Sequence, residues 1–180
     1  IFEELSIKIK EELLPRNSNL KVWSAACSIG AEPYSLGIIL NEIAPTGHHS
    51  ILATDIDATI LSKARLGEYT ENDIKNVKKE YLDKYFAKQG DKYLIDDKIK
   101  KMVNFVKHDL ILDKYEKDFD LIVCRNVVIY FNQDVKNEIY EKFSGSLKKG
   151  GLLFVGATES IYNYKDFGFA KASTFIYKKL

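Results

Sequence analysis

The chain has 180 residues, 46% hydrophobic and 29% charged, which fits one globular domain with its own core and excludes a disordered chain. Its 27 basic and 26 acidic residues leave a net charge of +1, so neither nucleic acid nor an anionic membrane surface is an expected partner. No apolar run approaches the roughly 18 residues of a membrane span, and no signal peptide is visible. Cys27 and Cys124 have neither disulfide nor metal-ligand spacing, so a reducing cytoplasm and a metal-free site are expected. The sequence starts at Ile1, not Met, and an N-terminal part is expected to precede it.

Ile1–Leu14 carries apolar Phe2, Leu5, Ile9 and Leu13 at helical spacing and stops at Pro15 and a polar turn. Leu20–Ala26 reads as a first strand. A run of small residues, Ala25-Ala26-Cys27-Ser28, leads through Gly30 into a helix over Glu32–Ala44, with Pro33 in its first turn. Strand, tight turn and helix N-terminus together form a nucleotide-type cradle, where small side chains let a ligand approach the backbone. Only Gly30 is a glycine, so the dinucleotide fingerprint is not met.

Ser50–Thr54 is a second strand ending at Asp55-Ile56-Asp57, and Thr59–Leu66 a short helix. Glu71–Phe86 reads as lysine-rich helical turns, broken at Gln89-Gly90-Asp91. Lys92–Ile95 and Ile99–Val106 are strand-like, and the second leads into His108-Asp109-Leu110. Asp118–Cys124 is an apolar strand followed by Arg125-Asn126. Gln133–Leu147 is helical, stopped by Lys148-Lys149-Gly150-Gly151, and Leu152–Gly156 is the next strand. Phe169–Ala172 and Thr174–Lys178 form a terminal hairpin. This alternation implies βαβ units in a doubly wound, mostly parallel sheet with an antiparallel edge, interrupted at about 71–101 by an inserted subdomain.

In such sheets ligands bind at the carboxyl ends of the strands. Asp55, directly after the second strand, is placed to accept bonds from ribose hydroxyls; alternatively it only bends the chain ahead of a helix cap. Asp109 could accept from an adenine amino group or form an Asx-turn. His108 beside it reads as a turn residue rather than a base. Arg125, between two apolar runs, needs a partner or a ligand: a carboxylate for its planar fork, or a salt bridge to an acid such as Glu32. Tyr130 offers a hydroxyl near that strand end or a core aromatic. No lysine-bearing phosphate loop, nucleophile–base pair or metal motif is present. What remains is a nucleoside-bearing cofactor and a reaction that needs alignment more than acid–base work, and methyl transfer from a sulfonium fits.

Five stretches, in order, carry a resemblance: Trp23–Ser28 with Gly30, Glu32, Pro33, Tyr34 and Ser35; Ala53–Asp57 with Ala64, Gly67 and Tyr69; Phe105 with His108-Asp109-Leu110; Phe119–Phe131; and Gly150–Gly156 with Glu159-Ser160. Together they resemble the CheR-type chemotaxis receptor methyltransferases over about residues 20–160. The resemblance implies a Rossmann-like class I S-adenosylmethionine-dependent methyltransferase domain over residues 1–180. Its activity would be in-line methyl transfer from S-adenosylmethionine to glutamate side chains on the cytoplasmic part of methyl-accepting chemotaxis receptors, leaving S-adenosylhomocysteine. Carried over by motif, Ala25, Glu32, Asp55, Ile56, Asp109, Leu110, Arg125 and Asn126 line the cofactor site, and Arg125 and Tyr130 orient the acceptor carboxylate.

The chain departs from the family pattern at Ile29, usually Thr, and Ala31, usually Glu. The family's N-terminal helical domain, with its Thr-x-Phe-Phe-Arg motif, is not among these residues. A non-catalytic module binding S-adenosylmethionine or S-adenosylhomocysteine, and a small-molecule methyltransferase, are the alternatives. The region 71–101 would match the family's small β-subdomain. Its single Gly90 argues against docking of a receptor's C-terminal pentapeptide, and a monomer without membrane insertion is expected.

Overall fold

The computed structural model describes residues 2–180. Phe2–Lys8 (α1) continues as a widened π-type turn, Ile9–Leu13, and its Leu5, Ile9 and Leu13 are buried, as the spacing requires. Lys21–Ala25 (β1), Ala31–Ile43 (α2), Ser50–Asp55 (β2) and Ala58–Leu66 (α3) follow. Asp57 caps α3, its Oδ1 accepting from the Thr59 and Ile60 amides, and Gly67 closes that helix in the left-handed conformation.

Between α3 and the next strand of the main sheet lies a second sheet. It comprises Glu68–Thr70 (β3), Phe86–Gln89 (β4) and Lys92–Ile95 (β5), antiparallel in the order β3-β5-β4. Lys79–Tyr85 (α4) precedes β4, and Asp97–Lys100 (α5) follows β5. The helical reading of Glu71–Phe86 therefore holds only for α4. Residues 71–76 are turns because the Thr70 amide and hydroxyl exchange hydrogen bonds with Asp73, which satisfies those groups outside a helix. The strand expected from Ile99 starts instead at Val103, because Asp96 caps α5 by accepting from the Lys98 amide.

Val103–Lys107 (β6), Phe119–Cys124 (β7), Gln133–Ser146 (α6) and Leu147–Val155 (β8) come next. Phe169–Ser173 (β9) and Ile176–Lys179 (β10) are the expected hairpin. The seven-stranded sheet runs β6-β2-β1-β7-β8-β10-β9, parallel from β6 through β8 and antiparallel beyond. Helix α6 ends at Ser146, within a residue of the expected stop, and Lys148–Gly151 already belongs to the next strand. That run is an irregularity within β8, so that Phe119 pairs with Leu147 while Leu121 pairs with Leu152, and Gly150 takes a φ of 85°.

The parallel strands alternate between the two faces of the sheet, except at the register shift between Phe119 and Leu121. Val22, Leu121, Val123, Leu152 and Phe154 face α1 and α2; Trp23, Phe119, Ile122, Cys124, Leu153 and Val155 face α6. Apolar residues are needed on both faces, which is why these strands read as continuous apolar runs. The chain leaves β1 toward β2 and β6 on one side and reaches β7 and β8 on the other. The switch point, and the crevice it opens, lie at the carboxyl end of β1. No helix of the described residues is long and apolar enough to cross a membrane.

Candidate functional site

The ladders are flush at this edge: Ala25 pairs with Thr54 and Cys124, Asp55 with Lys107, and Cys124 with Val155. The segments carrying Asp55-Ile56, Asp109-Leu110 and Arg125-Asn126 therefore leave the sheet side by side around the turn after β1.

That turn owes its shape to small residues. Ala26, Ser28 and Gly30 take φ values of 56°, 52° and 88°. Each left-handed non-glycine residue costs about 1–2 kcal/mol. Hydrogen bonds hold the strain: the Cys27 amide donates to Thr54 O at 2.8 Å, and the Ser28 amide to Asp55 Oδ2 at 3.0 Å. Ala and Ser stand where a fingerprint would have glycine, so a motif search on glycines misses a turn of the same kind. Ile29, at the usual Thr position, is half-buried and packs with the aromatic cluster around Tyr34 and Tyr69. Ala31 is exposed at the first turn of α2.

Asp55 both bends the chain and faces the crevice. Its Oδ2 takes the Ser28 amide and its Oδ1 the Asp57 amide at 3.0 Å. An ionised carboxylate has about four acceptor positions, so two remain. Ile56, beside it, is 61% exposed. Asp109 forms the Asx-turn: Oδ1 accepts from the Ile111 and Leu112 amides, which hold its pKa below the usual carboxylate value and leave Oδ2 unused. Leu110 is buried, in the same core as Trp23 and Ala25. His108 is a packing residue, with its ring edge-on to Trp23 and Nε2 2.9 Å from Lys114 O.

Glu32 and Arg125 do not form the anticipated ion pair. Ser24 Oγ donates to Glu32 Oε1 at 2.7 Å. Burial first, and then the nearby Glu159 carboxylate, raise the Glu32 pKa to about 7 against the opposing pull of Ser24 and Arg125. The Arg125 guanidinium lies instead 5.2 Å from the ring centres of both Phe2 and Phe154, and its Nε is buried without an acceptor among the described residues. Among the described residues, then, an acid and a guanidinium without ionic partners lie near enough to feel each other at the carboxyl end of the sheet. Tyr130 is not a core aromatic: it is 81% exposed, on a single 3-10 turn, Val128–Tyr130.

One residue carries more of this site than its sequence neighbourhood announced. Glu159 is 4% exposed. Its Oε1 accepts from the Asn126 amide and, at 3.1 Å, from the Gly156 amide; its Oε2 accepts from Val127 and Val128 at 3.1 and 2.9 Å. Glu159 stands in the last of the five stretches that carry the resemblance, but no role is assigned to it there, and nothing in the sequence indicates that it turns back toward residues 126–128.

A doubly wound sheet with a small-residue turn at the switch point, and acids after its neighbouring strands, makes a Rossmann-like nucleoside-binding frame, and the family match identifies it as a class I S-adenosylmethionine-dependent methyltransferase domain. The family model described as "CheR methyltransferase, SAM binding domain" matches residues 1–176, and the chain belongs to that family. It is 44% identical over 176 residues to a chemotaxis protein methyltransferase of Listeria monocytogenes, covering 95% of this chain and 67% of that one. With the protein of the same description from Borreliella burgdorferi it shares 39% over 180 residues, covering 96% and 63%. The chain spans about two thirds of the length of these relatives.

Among solved structures, a TehB-like SAM-dependent methyltransferase from Corynebacterium glutamicum superposes with a TM-score of 0.55 at 16% identity, covering 96% of this chain and 84% of that one. PKMT2 from Rickettsia typhi, in complex with AdoHcy, does so at 0.52 and 20% identity, covering 83% and 24%. At these identities the likeness is one of fold.

Proposed function

We propose that the protein carrying this domain is a cytoplasmic protein-glutamate O-methyltransferase whose acceptors are glutamate side chains on the cytoplasmic domains of methyl-accepting chemotaxis receptors. The observation that carries the cofactor side is the unpaired couple of Glu32 and Arg125. An acid and a guanidinium at the carboxyl end of the sheet, each lacking an ionic partner among the described residues, match the ammonium and carboxylate of an amino-acid zwitterion, which the methionine part of S-adenosylmethionine provides.

The other roles follow from the free valences. Asp55 retains two acceptor positions for ribose hydroxyls, and Asp109 Oδ2 can take an adenine amino group. Ile56 and Leu110 supply apolar contact for the base, Ala25 lets the cofactor lie close to the end of β1, and Asn126 adds a polar group. S-adenosylmethionine, when bound, supplies a methyl group already activated by its sulfonium. The chain has then to align the acceptor and exclude water. A glutamate with pKa about 4.3 is ionised at neutral pH, so no general base is required. Arg125 and Tyr130 orient that carboxylate. The second sheet, β3-β5-β4, serves as a small subdomain inserted in the domain spanning 1–180.

Transfer of labelled methyl from S-adenosylmethionine to receptor-containing membranes by the full-length protein tests this. A base-labile label on the receptor is the expected result. A protein that binds S-adenosylhomocysteine but labels no receptor overturns the receptor assignment, and one that binds neither cofactor form overturns both.

A further inference from the structure

We infer that Glu159 is the positioning residue of the transfer site: its buried carboxylate locks the segment after β7 in the one conformation that places Arg125 and Asn126 in the crevice. The inference rests on the function proposed above. Asn126 has a φ of 63°, a left-handed conformation that asparagine visits but does not prefer. Three consecutive amides, of Asn126, Val127 and Val128, turn toward one carboxylate. Backbone donors facing inward at a strand end would otherwise be buried without partners, at a cost comparable to lost hydrogen bonds.

Glu159 also receives the Gly156 amide at 3.1 Å, so the segments after β7 and β8 are tied at a single side chain. Gly156 is required for this approach: a Cβ there would lie 2.5 Å from Glu159 Oε1 and 3.0 Å from the Asn126 amide. No ion pair reaches Glu159 among the described residues; its hydrogen-bond partners are backbone amides.

This arrangement separates geometry from electrostatics in a testable way. Glutamine in place of Glu159 would aim an amide donor at backbone donors and would remove a negative charge that disfavours ionisation of Glu32. The other groups bearing on Glu32 are the Ser24 hydroxyl, the Arg125 guanidinium and the Cys27 and Cys124 thiols. A role confined to stability would leave kcat and KM of the folded variants unchanged.

The test compares the full-length protein with its Glu159→Ala and Glu159→Gln variants in three measurements: kcat and KM for S-adenosylmethionine, the pH profile of S-adenosylhomocysteine binding, and the amide proton resonances of residues 126–128. Folded variants are expected to lose the downfield amide shifts of carboxylate-bonded protons. Transfer should fall on the order of a hundredfold, as for a catalytic group displaced by about an ångström. In Glu159→Gln the acid limb of binding should move to lower pH.

A folded variant with kcat and KM within about twofold of the parent, or one that keeps the downfield amide shifts of residues 126–128, overturns the inference. Should both variants fail to fold, Gly156→Ala strikes the same clamp from the other side, and normal transfer with altered Asn126 amide shifts would equally overturn it. If the parent protein transfers no methyl, the functional reading fails, and the amide spectra, which need no cofactor, decide the clamp alone.

Discussion

Arg125 and Glu32 are the residues on which the chemistry most depends, and each has a distinct signature. The guanidinium of Arg125 lies against the rings of both Phe2 and Phe154, and among the described residues its buried Nε has no acceptor. A lysine cannot reproduce a planar fork. Arg125→Lys and Arg125→Ala should therefore both weaken S-adenosylhomocysteine binding by about 10–100-fold, the loss expected of a hydrogen bond to a charged group, as read by calorimetric titration.

Glu32, with its pKa raised from 4.5 to about 7, binds a proton more tightly folded than unfolded. Its contribution to stability is greatest below the unfolded value and declines as pH rises through about 7. Glu32→Gln should remove that decline and make the domain more stable at pH 8 by roughly 1–3 kcal/mol, at about 1.4 kcal/mol per pKa unit. Urea titrations at pH 5 and pH 8 measure the difference. Because a cation favours the ionised acid, cofactor affinity of the parent protein should rise with pH through the same window, and in Glu32→Gln it should be flat.

At the scale of elements, the site is a set of strand ends held in register by local devices. Asp57 is the N-cap of α3, two residues beyond Asp55, and it satisfies the Thr59 and Ile60 amides. Asp57→Ala should cost about 1 kcal/mol of stability in urea unfolding while leaving the Asp55 side chain in place. The boundary errors of the sequence reading fall where a side chain redirects the backbone. Thr70 and Asp73 bond each other and stop a helix that lysine-rich spacing suggested. Helix α6 stops where expected, at Ser146, but the strand placed at Leu152 begins already at Leu147, because Gly150 supplies the positive φ of an irregularity that the strand tolerates.

For the whole molecule, the two cores on either face of the sheet set the stability of the site above them. Trp23, the sole tryptophan, packs with Phe119, Phe143, Tyr115 and His108, and its Nε1 donates to Thr54 Oγ1 at 2.9 Å. Its fluorescence should report unfolding directly. Phe143 is fully buried, edge-on to that indole with ring centres 5.4 Å apart. Phe143→Ala should destabilise the domain by about 3–5 kcal/mol, as cavity-forming substitutions of large aromatics do, with the loss read from Trp23 emission in urea.

The sequence by itself determined the layered architecture. Continuous apolar strands such as Phe119–Cys124 can only be covered on both faces, and alternation with helices makes them parallel. The positions of Asp55, Asp109 and Arg125 at the ends of those strands were legible for the same reason: a strand end is a local event. Whether each of these groups was free or occupied was not. That Arg125 lies against Phe2 and Phe154 instead of pairing with Glu32, and that Glu159 reaches back to residues 126–128, depends on contacts between segments about 30 to more than 120 residues apart. Hydrogen bonds and cation–π contacts over such separations leave no periodicity in a sequence; only the packed tertiary structure brings the partners within reach.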